Sequence, residues 1–336
     1  MDQSARSRVA RLLCVGFPGA EPDADLAGLV ADGVRSVILF ARNAGPKSQV
    51  AETIAAVKRL SPDPAGDPIM VCVDQEGGGT VRFTEGFEPP PPMRDVGAAG
   101  PDAAAVVGRG LAMDLLSVGI DLDLAPVMDV DSNPANPVIG PRSFGTEPGI
   151  VSACGAAMID AMQSRGLAAC AKHFPGHGDT DLDSHHDLPV LRHEMDRIRE
   201  IELPPFAAAI RADVAAIMTT HVVFEAIDPG VPATMSRAAI EGLLRGELGY
   251  DGVVISDDLE MAAIAESTEV GEAAIRSVEA GVDLLLCCHR PERQRRVLDA
   301  LADAVTEGRL TEARIDESIR RLDRLSSAYV KPPEPS

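Results

Sequence analysis

The chain has 336 residues, 45% of them hydrophobic, and a formal net charge of −21. Its apolar content is enough for one large domain or two ordinary ones. The negative charge repels phosphate backbones and argues against a nucleic-acid partner. No apolar run approaches the roughly 18 residues needed to span a bilayer, so we expect no membrane insertion either.

The six cysteines are scattered along the chain and form no C-x-x-C pair. Most fall within apolar segments, which fits buried free thiols in a reducing compartment better than a disulfide framework or a zinc site. The chain starts with a basic stretch, yet the apolar run after it is only about six residues long, too short for a secretory signal. The sequence therefore predicts a cytoplasmic protein.

Eight short apolar runs rich in β-branched residues predict strands. They occupy residues 11–17, 34–40, 69–74, 120–127, 167–174, 214–223, 252–259 and 282–288. Stretches of helical period lie between most of them, for example 102–119 and 272–281. Continuous apolar strands alternating with helices indicate an α/β fold whose parallel sheet is buried on both faces. Eight such units, with no G-x-G-x-x-G or P-loop after the first strand, favour a closed (β/α)8 barrel over an open sheet.

The remaining segments fit the same plan. Residues 310–330 read as an amphipathic helix packed on the barrel, so we expect a single domain over 1–330 and a frayed tail over 331–336. Two non-periodic insertions, 83–97 and 128–145, are rich in proline or glycine and read as loops.

Polar residues follow the predicted strands where a barrel enzyme carries its chemistry, at the carboxyl ends. Each could be only a cap or a surface ion pair, but in a barrel all of them converge on one mouth. They are Asp74 after the third strand, Asp129, Asp131 and Arg142 after the fourth, Lys172 and His173 at the end of the fifth, His221 after the sixth, and Asp257 and Asp258 after the seventh. His193 and His289 show no partner pattern, and we expect them to be structural.

The stretch "KHFPGHGDTDLDSHHD" (172–187) leaves the fifth strand and holds an unusual density of ionisable residues. Metal binding is one hypothesis, because His173, His177, Asp179, His185 and Asp187 are suitable ligand types. Against it, the first strand lacks the H-x-H that metal-dependent amidohydrolases place there, and Lys172 adds repulsion against a divalent cation.

A proton relay is the second hypothesis for this stretch. Asp183 and His185 lie two residues apart, so on an extended loop their side chains can point the same way. A carboxylate bonded to one imidazole nitrogen orients the ring and raises its pKa, leaving the other nitrogen ready to donate near neutral pH. Such a general acid/base needs a nucleophile as partner.

Four motifs in the same order, "VDQEGG", "IGPRSFG", "KHFPGHGDTDLDSH" and "ISDDLEM", closely resemble glycoside hydrolase family 3. The resemblance is to its β-N-acetylglucosaminidase branch, typified by bacterial enzymes of peptidoglycan recycling, and covers roughly residues 10–325. It implies the same barrel. By position it implies that Asp257 is the nucleophile and that His185, held by Asp183, is the acid/base. The residues that grip the N-acetylglucosamine ring in the −1 subsite would be Asp74, Arg82, Arg142, Lys172 and His173.

The resemblance implies a retaining exo-β-N-acetylglucosaminidase that releases terminal GlcNAc from muropeptides or chitooligosaccharides through a covalent glycosyl-enzyme. It implies no cofactor, no metal and a carbohydrate as the only partner of what we expect to be a monomer. A phosphorylase stays open, because a neutral imidazole does not repel an anionic acceptor. A metal-dependent amidohydrolase and an inactive sugar-binding barrel are weaker alternatives. One residue departs from the family pattern: Gly79 stands where arginine is usual.

Overall fold

A computed structural model describes residues 3–181, 188–265 and 268–331. The strands of these residues, in chain order, are β1 Leu13–Val15, β2 Ser36–Leu39, β3 Met70–Val73, β4 Leu122–Asp123, β5 Ala168–Phe174, β6 Val190–Leu191, β7 Ala216–Thr219, β8 Val223–Phe224, β9 Val253–Ile255 and β10 Leu285–Cys287. Eight of them form one parallel sheet in the order β10-β1-β2-β3-β4-β5-β7-β9. Each of the eight predicted runs contributes one strand to this sheet, which confirms the (β/α)8 prediction.

The sheet closes on itself between β9 and the residues that precede β10. Ile255 and Leu284 form a parallel bridge there, and the Ser256 amide donates to the Leu284 carbonyl at 2.9 Å. Closure removes the exposed edges that an open sheet would present. Alternate side chains fill the interior, among them Cys72 on β3 and Cys170 on β5, while their neighbours pack outward against the helices.

Helices surround the barrel. They are α1 Gln3–Ala10, α2 Ala24–Asp32, α3 Lys47–Lys58, α4 Met93–Ala99, α5 Pro101–Val118, α6 Pro148–Gln163, α7 Met195–Ile201, α8 Leu203–Arg211, α9 Ala262–Ala265, α10 Val270–Ala280, α11 Pro291–Thr306 and α12 Glu312–Tyr329. Their ends follow local chemistry: Asp23 accepts from the Leu26 amide at the start of α2, and Gly119 takes the left-handed conformation that ends α5. The predicted closing helix is α12, whose Leu322 and Leu325 belong to the cluster that fills the barrel.

Short elements occupy the connections. Two-residue strands β6 and β8 pair in parallel, turns of 3-10 helix cover Ala41–Asn43, Gly140–Arg142 and Ala233–Met235, and a π-helix covers Ala238–Glu247. The run predicted as one strand over 214–223 divides into β7 and β8, so His221 lies in the turn between them. Within the described residues, no helix combines the length and the apolar character that a membrane crossing requires.

Candidate active site

One cavity of about 300 Å³ opens at the carboxyl ends of the strands, at the lower end of the size range of small-molecule sites. Six of the eight site residues that the family resemblance implied line it together: Asp74, Arg82, Arg142, Lys172, His173 and Asp257. The other two, Asp183 and His185, lie outside the described residues. The tail at 332–336 lies outside them as well.

Strand geometry explains why these side chains meet. Met70 and Cys72 on β3 point into the barrel, so Asp74 continues the same face at the mouth. Cys170 does the same for Lys172 on β5. The pairing of β5 with β7 shifts register between Ala171 and Phe174, and such a bulge turns an extra side chain toward the site, here His173.

Glu76 is at the centre of the charged residues, although the sequence reasoning did not single it out. It is 1% exposed and accepts from Arg142 through two parallel bonds, at 2.7 Å from Nε and 2.8 Å from Nη2. Lys172 Nζ lies 2.5 Å from Glu76 Oε1 and 2.7 Å from Asp74 Oδ1. Arg82 completes the cluster at 3.3 Å from Asp74 Oδ2. These contacts fix the three cations and the two carboxylates at the floor of the cavity.

The ionisation states of this cluster follow from its pairing. Burial raises the pKa of Glu76, but Arg142 and Lys172 outweigh burial and hold that pKa well below its usual range. Burial lowers the pKa of Lys172, and the carboxylates of Asp74 and Glu76 more than reverse the effect. Glu76 and Lys172 are therefore both charged at neutral pH.

Two histidines that line the cavity, His173 and His177, are held by Asp129, which is fully buried. Its Oδ2 lies 2.7 Å from His173 Nδ1, and its Oδ1 accepts from the backbone amides of His173 and His177 at 3.1 and 2.7 Å. Burial lowers the pKa of His177 to about 4, so this ring is neutral at pH 7. A carboxylate that fixes an imidazole leaves the far nitrogen to meet a ligand.

Asp257 follows β9 and faces the same cavity. The amide of Asp258 donates to its Oδ1 at 2.8 Å, and its charge favours the protonated forms of His177 and His221. The hydrogen bonds of Lys172 and Arg142 described above go to Asp74 and Glu76.

Two histidines expected to be purely structural have ionic partners. His289 lines the cavity with its Nε2 at 3.1 Å from Asp258 Oδ2, and His193 is paired with Asp179 outside the cavity. Neither pairing follows a sequence spacing, because the partners lie on different loops. Only the position of His289 directly after the last strand could have suggested a role at the mouth.

The glycines of this region differ in their surroundings. A Cβ on Gly178 would lie 1.8 Å from the Val130 carbonyl oxygen, and one on Gly176 would lie 2.7 Å from Glu202 Cγ. These surroundings show that close packing requires glycine at both positions. Gly79 meets nothing within 4 Å, so the missing arginine leaves open space beside Thr80 and Arg82.

The fold and the carboxylates at the mouth define the class: a barrel enzyme of the glycoside hydrolase type. Comparison with known proteins agrees. The family model for the glycosyl hydrolase family 3 N terminal domain matches residues 4–325. A β-hexosaminidase of Xanthomonas oryzae pv. oryzae is 38% identical over 298 residues, which is 86% of this chain and 87% of the relative.

Solved structures give the same result. A family 3 β-N-acetylglucosaminidase from Paenibacillus sp. superimposes with a TM-score of 0.94 at 44% identity, over 96% of this chain but only 62% of that longer protein. NagZ from Neisseria gonorrhoeae, solved with N-trifluoroacetyl-D-glucosamine, gives 0.78 at 30% identity over 94% and 98% of the two chains. The chain belongs to glycosyl hydrolase family 3.

Proposed function

We propose that the protein is a retaining exo-β-N-acetylglucosaminidase that removes terminal GlcNAc through a covalent glycosyl-enzyme on Asp257. The observation that carries the proposal is the shared cavity, in which Asp257 faces Asp74, Arg142, Lys172 and His173. The names of the relatives, β-hexosaminidase and β-N-acetylglucosaminidase, support the same activity.

The floor of the cavity suits the −1 sugar. A hexosamine presents hydroxyls that both donate and accept, and the paired carboxylates and cations around Glu76 offer acceptors and donors in fixed positions. His173, anchored by Asp129, adds a ring nitrogen with a set orientation. Because these groups are already ordered, binding the sugar costs little further entropy.

The sugar then positions its anomeric carbon for Asp257. Attack by that carboxylate breaks the glycosidic bond and forms a glycosyl ester, while an acid must protonate the departing oxygen. We assign that acid to His185, oriented by Asp183, from the sequence motif that leaves β5. After the aglycone departs, the same imidazole takes a proton from the water that cleaves the ester and returns Asp257 to its free form.

Charge around the site favours water over phosphate as the acceptor. The lining holds four carboxylates, Asp74, Glu76, Asp257 and Asp258, against three cations, Arg82, Arg142 and Lys172. Lys172 and Arg142 are already paired with acidic side chains, which leaves little attraction for an added dianion. The relatives carry the names of hydrolases, and the comparisons do not support the phosphorylase alternative.

The first experiment is turnover of 4-nitrophenyl N-acetyl-β-D-glucosaminide with and without phosphate, each in the presence of a chelator. We expect free GlcNAc as the product at a rate that neither addition changes. GlcNAc-1-phosphate with stimulation by phosphate would show a phosphorylase. Loss of activity with chelator would show a metal enzyme, and no release at all would contradict the proposed substrate.

Two substitutions test the assigned roles. Asp257→Ala should lower kcat by more than about a thousandfold, because no other group then forms the ester. His185→Ala should slow substrates with poor leaving groups far more than activated aryl glycosides, because only the former need protonation. Near-normal turnover by Asp257→Ala, or equal losses on both substrates for His185→Ala, would contradict the corresponding role.

We also propose that the protein is a cytoplasmic monomer that acts on GlcNAc-terminated muropeptides or chitooligosaccharides, as in peptidoglycan recycling. The free, buried state of all six cysteines supports a reducing compartment. The NagZ likeness supports the N-acetylglucosamine ring in the −1 subsite. Light scattering on the purified protein would test the monomer, and product analysis with both substrate types would identify the natural aglycone.

A further inference from the structure

We infer that His289 is a positioning residue for the nucleophile, acting on Asp257 through Asp258. The inference rests on the proposed role of Asp257. It begins from the 257–258 peptide unit, whose N–H donates to Asp257 Oδ1 at 2.8 Å. Because this bond joins neighbouring residues, the direction of the Asp257 carboxylate follows the orientation of that peptide unit.

The residue on the far side of this peptide unit, Asp258, is held at three points. Its carbonyl oxygen lies 3.0 Å from His221 Nε2, its Oδ1 accepts from the Glu260 amide at 3.1 Å, and its Oδ2 lies 3.1 Å from His289 Nε2. A carbonyl only accepts, so His221 must carry its proton on Nε2. His221 holds the backbone carbonyl, while the Glu260 amide and His289 hold the two oxygens of the side chain.

His289 is itself held in one tautomer. Arg42 Nη1 lies 3.0 Å from His289 Nδ1, and because a guanidinium only donates, Nδ1 accepts. The ring proton is therefore on Nε2, directed at Asp258. Arg42 is fixed by the carbonyls of Phe17 and Cys288 at 2.8 and 2.6 Å, and the ring of Phe40 packs 5.0 Å from the imidazole.

The position of His289 makes it suitable for a test. Its side chain is 46% exposed, so truncation should not threaten folding, whereas His221 is fully buried. Removing the imidazole releases Oδ2 of Asp258 while the bond from the Glu260 amide to Oδ1 remains, and the side chain held at one oxygen fewer loosens the peptide that directs Asp257. The sugar-binding cluster around Glu76 does not depend on this contact. Truncation of His289 should therefore slow nucleophilic attack without weakening binding of the sugar.

The experiment compares His289→Ala, His289→Gln and the control Arg290→Ala, an exposed neighbour that does not line the cavity. Each is measured on aryl N-acetyl-β-glucosaminides with good and poor leaving groups, and with free GlcNAc as inhibitor. For His289→Ala we expect kcat/KM to fall about 10- to 100-fold, the cost of a small misplacement of a reacting group. The loss should be equal for both leaving groups, with unchanged inhibition by GlcNAc. Gln, whose amide can donate to Asp258, should recover part of the rate.

Three outcomes would overturn the inference. The first is normal activity in His289→Ala. The second is a loss of activity together with weaker inhibition by GlcNAc, which would make His289 a sugar-binding residue. The third is a loss of activity only on substrates with poor leaving groups, which would make His289 part of proton transfer. An active Asp257→Ala would instead contradict the nucleophile assignment on which the inference rests.

Discussion

Asp123 is a buried acid whose charge the fold disfavours. Its Oδ1 accepts from the Gln75 amide at 2.9 Å, and its Oδ2 has no hydrogen-bond partner within the described part of the chain. Burial raises the pKa of Asp123 to about 7, against 3.8 for an ordinary aspartate. The group therefore stabilises the fold while protonated, and that contribution is lost as the pH rises through about 7.

We predict that Asp123→Asn becomes more stable relative to the original protein as the pH rises. The amide keeps the bond to Gln75 and cannot ionise, so the difference in unfolding free energy should grow by about 2–3 kcal/mol between pH 5 and pH 8. Urea unfolding of both proteins at several pH values measures it. The two proteins are compared by the difference in their unfolding free energies, because buried His177 adds a pH dependence of the opposite sign that is the same in both and cancels. A difference that does not change with pH would refute the raised pKa of Asp123.

Individual residues show the limit of what the sequence can predict. Five of the six described site residues were found at a strand end or on the loop after a strand, positions that a barrel brings together, whereas Arg82 was implied only by the family resemblance. Glu76 was missed because it lies within a turn motif beside Asp74, and its role depends on Arg142, 66 positions away in the chain. The pairing of His289 with Asp258 was missed for the same reason: no local spacing encodes a contact between two loops.

At the scale of elements, the segment that leaves β5 is anchored to the insertion that follows β4. Asn136 Nδ2 donates to the His177 carbonyl at 2.8 Å, the Asp129 carboxylate accepts from the His177 amide, and Gly178 packs against Val130. Close approach of two backbones leaves no room for a side chain. The insertion therefore serves as a platform for the start of the segment that carries His185 further along the chain.

We predict that Gly178→Ala disturbs this platform. A Cβ placed 1.8 Å from a carbonyl oxygen forces the backbones apart, which should cost about 1–3 kcal/mol of unfolding free energy and lower kcat as well. Gly79→Ala is the matched control, since its Cβ enters open space. Thermal unfolding and kcat of the two variants decide the matter, and equal behaviour would show that the region around Gly178 adjusts freely.

The elements themselves were largely predictable. Continuous apolar runs marked all eight barrel strands, because a strand buried on both faces is apolar throughout. A long amphipathic period marked α12, because a helix buried on one face has apolar residues at helical spacing. Strand lengths were overestimated: of the run over 120–127, only the two residues of β4 form a strand. The β6–β8 pair was missed, since two-residue strands are created by the tertiary fold rather than by local sequence.

For the whole molecule, charge is the dominant feature. The chain has 52 acidic and 31 basic residues, so even complete pairing of the bases would leave 21 carboxylates without a cation. Surface pairs are present, such as Arg309 with Glu272 and Glu279, but exposed pairs contribute only about 0–1 kcal/mol each. Repulsion among the surplus carboxylates should therefore outweigh the pairs.

Salt distinguishes these two contributions, because screening the repulsion raises the unfolding free energy whereas screening the ion pairs lowers it. We predict that raising NaCl from about 0.02 M to 0.3 M, which shortens the screening length from roughly 20 Å to below 8 Å, increases the unfolding free energy by about 1–2 kcal/mol. Urea unfolding, with a denaturant that is uncharged, measures the change. Turnover of a neutral aryl glycoside should stay constant over the same range, since it has no charge to be steered. A fall in stability with salt would mean that ion pairs, and not the surplus of carboxylates, control the electrostatic free energy of this fold.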